Sequence, residues 1–139
     1  MKSITQKHAF GCGAACVAFA TELPYQKVIK LLGEKKATKQ GFCCKELVQV
    51  LQKLGKKYEY KYIKPHILTH LDKPGTIVFM KRGKIYPAGH FVIKTEKGWM
   101  DPWINFCENQ DISNAKSGFR KELPEKPIYA ILPKQNGTK

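Results

Sequence analysis

The segment from Gln6 to Cys16, QKHAFGCGAAC, decides the fold of this chain. Cys12 lies between Gly11 and Gly13 and precedes a run of small residues, which predicts a loop that enters a helix at about residue 13 and continues to Thr21. Unpaired backbone N–H groups and the positive end of the helix dipole stabilise a thiolate at such a position. The segment therefore predicts a reactive thiol at Cys12.

Other residues of the same segment fit this interpretation. Gly11 and Gly13 would let the backbone of a substrate come close, so both are candidate substrate-binding residues. Gln6 lies upstream, where its side-chain amide could donate a hydrogen bond beside the sulfur. The alternative is that Cys12 is a small buried core residue, which is the role predicted for Cys16 one helical turn later.

Length and composition predict one domain, with a helical part over residues 1–57, a sheet over about 58–134 and a tail at 135–139. Hydrophobic residues make up 42% of the chain, which argues against disorder, and no apolar run approaches the roughly 20 residues of a membrane span. The five cysteines are odd in number and contain no C-x-x-C pair, so neither a disulfide scaffold nor a zinc site is predicted, and no cofactor is expected. We expect a cytoplasmic protein, with a secreted effector as the alternative.

The chain is strongly basic, with 25 Lys and Arg residues against 11 Asp and Glu residues and a net charge of +14. Such a charge attracts nucleic acid, an anionic membrane or an acidic peptide. The lysines are scattered along the chain and no nucleic-acid-binding motif accompanies them, so a nucleic-acid ligand is not favoured. An acidic peptide, a transporter and an anionic membrane remain open as partners.

Hydrophobic periodicity predicts an α+β architecture, in which N-terminal helices pack on a C-terminal antiparallel sheet. Two helices follow the first, at 25–33 and from Cys43 or Cys44 to Leu54, with an exposed polar loop over 34–42 between them. Strands are predicted at 58–63, 76–81, 90–95 and 99–103, with a short helical turn over 65–71. His66 and His70 share one face of that turn but have no third metal ligand, so we expect them on the surface.

The sequence predicts a hairpin with His90 at its mouth and Asp101 near the end of the returning strand, and the register of this hairpin decides whether the two residues meet. If the two residues face each other directly across a four-residue loop at 94–97, their Cβ atoms are about 5 Å apart and the carboxylate can hold the imidazole. A tighter turn at Lys97-Gly98 would separate them by about 13 Å, and a slip of one residue would place them on opposite faces. The order Cys12, His90, Asp101 is typical of a papain-type thiol hydrolase.

The chain resembles the C39 peptidases, papain-like bacterial domains that cut double-glycine leader peptides from bacteriocin and pheromone precursors. The resemblance rests on Gln6 six residues before Cys12, the Cys-Gly-x-Ala-Cys sequence, His90 followed by Phe-Val-Ile, and Asp101 followed by proline. It implies that Cys12 is the nucleophile, His90 the general base and then acid, Asp101 the residue that orients His90, and Gln6 an oxyanion donor. The family commonly has Asp where this chain has Gly11, and most relatives are fused to an ABC transporter.

The resemblance implies a papain-like fold and cleavage after a small-residue, Gly-Gly-like site in a peptide, with an acidic leader helix as the candidate partner. Gly89 and Trp103 join Gly11 and Gly13 as candidate substrate-binding residues, while core packing is the favoured role of Trp99. Two other functions stay open. One is deamidation or transglutamination by the same three residues, and the other is a domain that binds peptide or nucleic acid without catalysis.

Overall fold

The computed structural model describes residues 1–134, so the predicted tail at 135–139 lies outside the described residues. In this range the chain forms five α-helices, one short 3-10 helix and six β-strands. The helices are α1 (Cys12–Thr21), α2 (Tyr25–Leu32), α3 (Glu34–Lys39), α4 (Cys44–Lys53), α5 (Pro65–Leu68) and the 3-10 helix (Ile112–Asn114). The strands are β1 (Tyr58–Tyr62), β2 (Ile77–Met80), β3 (His90–Thr95), β4 (Gly98–Asp101), β5 (Gly118–Arg120) and β6 (Pro127–Pro133).

The strands form one sheet in the order β1-β6-β2-β3-β4-β5, and every neighbouring pair is antiparallel. Helix α1 packs on β3, and α4 packs on β1 and β6. The main core lies between these helices and the sheet, and a second cluster of buried residues that includes Val78, Val92 and Trp99 lies apart from it. The predicted α+β class, with helices on an antiparallel sheet, is confirmed.

Helix α1 is buried along most of its length because its side chains are small. Residues 13–18 are all buried, and a Cβ atom at Gly13 would come within 2.9 Å of Leu47 and 3.3 Å of Phe91. Small residues allow a strand to approach a helix closely, since little side-chain volume separates the two backbones. This close packing brings the start of α1, and with it Cys12, against β3.

Helix α4 shows the amphipathic pattern that the sequence predicted. Leu47, Val50 and Leu51 are buried on one face. The backbone N–H of Cys43 donates to Glu46 Oε1 at 3.0 Å, which satisfies one of the free donors at the helix start. The helix therefore begins where the sequence predicted, and it ends at Lys53.

The prediction of an exposed loop over residues 34–42 is wrong, because α3 occupies most of it. Ala37 is fully buried, and its carbonyl accepts a hydrogen bond of 2.8 Å from the backbone N–H of Phe10. The side chain of Lys36 also pairs with Glu46 of α4. Six residues are too few for a stable isolated helix, so these tertiary contacts account for α3.

The β3–β4 hairpin forms, but its predicted register is wrong by two residues. Ile93 pairs with Met100 and Thr95 with Gly98, so the loop contains residues 96 and 97 alone. A positive φ of +107° at Gly98 accommodates this tighter turn. A shift of two residues keeps side chains on the same face of a sheet, so His90 and Asp101 become diagonal neighbours.

Among the helices of residues 1–134, none combines the length and the apolar character that a crossing of the bilayer requires.

Candidate active site

The structure brings Cys12, His90 and Asp101 together where α1 meets the sheet. His90 Nε2 lies 2.6 Å from Asp101 Oδ1, and both side chains are almost completely buried. The backbone N–H of Phe91, the residue that follows His90, donates to Cys12 Sγ at 3.5 Å. The diagonal arrangement on neighbouring strands thus permits the contact that direct pairing had been expected to provide.

The electrostatics of this group favour a charged imidazole. Burial alone would lower the pKa of His90, but the charge of Cys12 and the hydrogen bonds to Asp101 and Cys12 outweigh it and raise the pKa from 6.5 to about 9. Burial would raise the pKa of Asp101, whereas its hydrogen bonds from His90 and Arg120 hold that pKa below its ordinary value. At neutral pH, His90 is therefore an imidazolium held by a carboxylate on one side and facing a sulfur on the other.

An aromatic stack fixes the orientation of the His90 ring. Tyr86 lies parallel to it, with ring centroids 4.5 Å apart and an interplanar angle of 10°. Phe106 contacts Tyr86 at 5.6 Å and Trp103 at 4.8 Å. Trp103 also donates its backbone N–H to Asp101 Oδ1 at 2.9 Å, so the stack supports both the imidazole and the carboxylate.

Gln6 is buried near the group, but its amide is oriented differently from the expectation. Its Nε2 donates to the backbone carbonyls of His8 at 3.0 Å and Ala9 at 3.3 Å, while its Oε1 is buried without a hydrogen-bond partner among the described residues. Cys12 is the first residue of α1, so its backbone N–H has no carbonyl partner within the helix. The backbone donor is available for an oxyanion, and the role of Gln6 stays a prediction.

Gly11 and Gly13 lie behind Cys12, and their missing side chains leave room for protein atoms. A Cβ atom at Gly11 would overlap the Tyr25 hydroxyl, and one at Gly13 would press on Leu47. Neither glycine belongs to the described residues that line the cleft in front of Cys12. Their absence of side chains is explained by packing, and a role in substrate binding has no support from this geometry.

Tyr25 belongs to a polar cluster that holds the segment before Cys12. His8 Nδ1 lies 2.9 Å from the Tyr25 hydroxyl, and His8 Nε2 lies 3.0 Å from Glu34 Oε2. Burial raises the pKa of Tyr25 to about 12, so its hydroxyl stays protonated. This hydroxyl takes the space that a side chain at residue 11 would need.

A cleft of about 990 Å³ opens in front of Cys12 and His90. Gly89 and Trp103, two of the candidate substrate-binding residues, line it. Many of its lining residues are aromatic, and these are Phe10, Phe42, Tyr60, Phe79, Tyr86, Phe91, Trp103, Phe106 and Tyr129. Lys45 and Arg82 add positive charge at this cleft. The size and apolar lining suit an organic ligand or a peptide segment.

The row of aromatic residues continues from the cleft to the sheet edge. Phe91 pairs with Phe79, Phe79 with Tyr129, and Tyr129 with Tyr62 across four successive strands. Tyr62 and Tyr129 form an edge-to-face contact at 5.7 Å and are both exposed. The floor of the cleft is therefore an apolar surface that extends away from Cys12.

The remaining cysteines have other environments. Cys16 is fully buried in the core, as predicted, and burial raises the pKa of its thiol well above the ordinary value. Cys43 and Cys107 are exposed, and burial raises the pKa of Cys44 to about 12. Within residues 1–134, no three His, Cys, Asp or Glu side chains gather in a way that could hold a metal ion.

Sequence reasoning missed Arg120, which donates from Nε to Asp101 Oδ2 at 2.8 Å. Its short strand had no predicted place in the sheet, so nothing linked it to Asp101. A compositional signal was present, because Arg82 and Arg120 are the sole arginines among 25 basic residues. Arginine suits the recognition of carboxylates better than lysine does. Arg82 lines the cleft, and Arg120 binds the Asp101 carboxylate.

No protein-family model matches this sequence, and no curated protein matches it either. Two crystal structures have similar folds. One is a double glycine motif protease from an AMS/PCAT transporter in complex with the leader peptide, with a TM-score of 0.57 and 18% identity over 94% of this chain and 89% of that chain. The other is the peptidase domain of Streptococcus ComA, a bifunctional ABC transporter involved in a quorum-sensing pathway. It has a TM-score of 0.57 and 22% identity over 95% of this chain and 96% of that one.

Both similar structures are peptidase domains of the kind that the sequence motifs had suggested, and each aligns over nearly the whole of the described chain. The identities are low, so the likeness speaks for the architecture. The protein has the α+β, papain-like fold of the C39 double-glycine peptidase domains.

Proposed function

We propose that this protein is a cysteine peptidase that hydrolyses a peptide bond by thiol acyl transfer. The observation that carries the proposal is the contact of His90 with Asp101 at 2.6 Å, with the Cys12 sulfur held at 3.5 Å from the backbone nitrogen of the next residue, Phe91, at an open cleft. For a buried histidine with a purely structural role, the hydrogen bond to the carboxylate would be sufficient. The additional sulfur beside the imidazole, with free volume in front of it, is the arrangement that nucleophilic catalysis requires.

In the proposed mechanism, the Cys12 thiolate attacks the carbonyl carbon of the scissile peptide bond while His90 is an imidazolium. The carbonyl oxygen becomes an oxyanion beside the backbone N–H of Cys12. His90 then gives its proton to the leaving amine, the C–N bond breaks, and an acyl-thioester remains on Cys12. A water molecule transfers a proton to His90 and attacks the thioester, which releases the carboxylic acid and restores the thiolate–imidazolium pair.

The proposed substrate is a leader peptide with a small-residue, Gly-Gly-like cleavage site. Support comes from the similar folds of the double glycine motif protease and the ComA peptidase domain, and from a cleft of a size that admits a peptide segment. Lys45 and Arg82 at the cleft favour acidic side chains in such a peptide.

Cleavage of peptides with a Gly-Gly site, followed by mass spectrometry, tests this function. We expect wild-type protein to cut after the second glycine. Cys12→Ala and His90→Ala should each abolish turnover, while their circular dichroism spectra remain those of the folded protein. Cys107→Ala is the matched control, because it removes an exposed thiol that does not line the cleft. If the peptides also contain glutamine, ammonia release without chain cleavage would indicate a deamidase instead of a peptidase, and intact peptides with no ammonia would contradict catalysis of either kind.

Gln6→Ala tests the oxyanion role separately. An oxyanion donor acts in acyl transfer but not in alkylation of a thiol, so we expect turnover to fall about 10²-fold while the rate of Cys12 alkylation by iodoacetamide stays unchanged. Unchanged turnover would remove Gln6 from the site. An equal loss in both rates would mean that Gln6 instead supports the loop through its bonds to the His8 and Ala9 carbonyls.

A further inference from the structure

Arg120 is part of a row of side chains on three neighbouring strands. On β5, Gly118 pairs with Asp101 and Arg120 pairs with Trp99, so Arg120 is a diagonal neighbour of Asp101. His90 on β3 is the diagonal neighbour on the other side. Asp101 therefore lies between a histidine and an arginine, each reaching it from an adjacent strand.

The two oxygens of Asp101 are divided between these neighbours. Oδ1 accepts from His90 Nε2 at 2.6 Å and from the backbone N–H of Trp103 at 2.9 Å. Oδ2 accepts from Arg120 Nε at 2.8 Å. With both oxygens held, the carboxylate cannot rotate without breaking a charged hydrogen bond, and Asp101 is fully buried.

Arg120 is itself fixed by a second contact. Its Nη2 donates to the carbonyl of Ile104 at 2.9 Å, and its side chain is 28% exposed. Two donors on a rigid, planar guanidinium reach two acceptors in different directions, whereas a lysine ammonium on a flexible stem could hold one of them well. The chain uses lysine nearly everywhere else for positive charge, so an arginine at this contact fits a geometric requirement.

Other titratable groups face the same pair from every neighbouring element. They are Cys12 and Cys16 from α1, Tyr86 from the loop before β3, and Arg120 from β5. Tyr86 stacks on His90 and lies close enough to the Arg120 guanidinium to interact with its charge. Among these groups Arg120 has the permanent positive charge, and it opposes protonation of His90 while supporting the carboxylate of Asp101.

We propose that Arg120 is a positioning residue of the candidate active site, which fixes the Asp101 carboxylate against His90 and sets the pH range over which Cys12 is reactive. The proposal rests on Cys12 and His90 acting as a thiolate–imidazolium pair, as in the proposed function. It requires no particular substrate, so it is tested without one. The alternative is that Arg120 only attaches the Ile104 loop to β5.

The test measures alkylation of Cys12 by iodoacetamide between pH 5 and 10 in the full chain, with the label mapped by mass spectrometry, and follows the His90 ring by NMR. For Arg120→Gln we expect the His90 titration to move up by about 0.5 to 1 pH unit, because a nearby positive charge is lost. We also expect Cys12 alkylation at pH 6 to slow about tenfold, because a carboxylate no longer held by Arg120 leaves the His90 imidazolium less well positioned beside the sulfur. Lys121→Gln is the matched control, since it removes one exposed positive charge from the adjacent residue.

Arg120→Lys separates charge from geometry, and it decides the question if Arg120→Gln does not fold. We expect its His90 titration to stay within about 0.2 units of wild type while alkylation of Cys12 still slows, because the two-point contact is lost. Wild-type titration and alkylation in both variants would overturn the proposal, and so would an equal shift in Lys121→Gln. If the Arg120 variants show the expected changes in a protein that cuts no peptide, the positioning role of Arg120 stands and the proposed peptidase function is rejected.

Discussion

The charge on His90 makes the stability of the folded chain depend on pH. An unfolded histidine titrates near pH 6.5, whereas Cys12 and Asp101 overcome the effect of burial and raise the pKa of His90 to about 9. Between these values His90 holds a proton in the folded protein that it has lost in the unfolded chain, so the contribution of His90 itself to stability decreases as pH rises. The contribution of Asp101 to stability changes with pH in the opposite direction. Because the pKa of Asp101 is lowered in the folded protein, its contribution is present at neutral pH and is lost as the pH falls below the ordinary range of a carboxyl group.

Urea denaturation at several pH values measures this effect. In Cys12→Ala protein, where no thiolate can offset the proton on His90, we expect the free energy of unfolding to fall above pH 6.5 by up to about 1.4 kcal/mol per pH unit, and addition of His90→Gln to remove most of that slope. Wild type should show a smaller slope, because a thiolate–imidazolium pair binds the same number of protons as an unfolded thiol and a neutral imidazole. A slope that survives in His90→Gln would assign the pH dependence to other groups.

Among the individual residues of the candidate site, the sequence predicted Cys12, His90 and Asp101 and missed Arg120. Cys12, His90 and Asp101 each have a local signature, namely a helix start, a strand start and a strand end followed by proline. Arg120 has none, because its contact with Asp101 depends on how β5 pairs with β4. The orientation of the Gln6 amide was equally hidden, since it depends on carbonyls of the same loop.

Among the elements, the turn between β3 and β4 controls the approach of β5 to the rest of the sheet. Gly98 has a φ of +107°, and a Cβ atom there would overlap the carbonyl of Arg120. A side chain at residue 98 would therefore separate β5 from β4 and move the guanidinium away from Asp101.

A pair of glycine variants isolates this steric effect. Gly98→Ala should lower the free energy of unfolding by about 2 to 4 kcal/mol, because it adds an overlap with backbone to the strain of a positive φ. Gly55→Ala is the control, since Gly55 has a φ of +86° and no atom within 4 Å of a Cβ there, so about 1 kcal/mol is expected. Chemical denaturation measures both values. If the two variants lose the same free energy of unfolding, the backbone of β5 can move aside at little cost.

Elements with strong local patterns were predicted well, and those that depend on tertiary contacts were not. The period of apolar residues in α4 is visible in the sequence and predicts Leu47, Val48, Leu51 and Leu54 on the inner face. Leu47 and Leu51 are buried, whereas Val50 takes the place of Val48 among the buried residues. The six residues of α3 have no such pattern, because a carbonyl bonded to Phe10 and the buried Ala37 account for the helix. The hairpin register failed for a similar reason, since a glycine with positive φ allowed a loop two residues shorter than expected.

For the whole molecule, the net charge of +14 bears on how a substrate reaches the cleft. Lys45 and Arg82 line the cleft, and Glu46, which also lines it, is paired with Lys36. The field at the opening is therefore positive, and it would attract an acidic peptide from a distance comparable to the Debye length.

The salt dependence of peptide binding tests this inference. With Cys12→Ala protein, we expect the affinity for an acidic Gly-Gly peptide to fall about tenfold or more between 50 and 500 mM salt. A peptide with Asn and Gln in place of its acidic residues should bind with little salt dependence. In wild type, the rate of Cys12 alkylation by neutral iodoacetamide should not change with salt concentration. An affinity for the acidic peptide that is independent of salt would contradict electrostatic docking.

The close packing of α1 on β3 also bears on when the candidate active site assembles during synthesis. The sulfur of Cys12 and the backbone of Phe91 that donates to it are 79 positions apart in sequence. A ribosome must complete most of the chain before the imidazole exists to face the thiol, and contacts of such long range form late in folding. The contact between Cys12 and Phe91 therefore forms when α1 docks onto the sheet. Under the proposed function, the Cys12 thiol would lack its imidazole partner until that late step of folding.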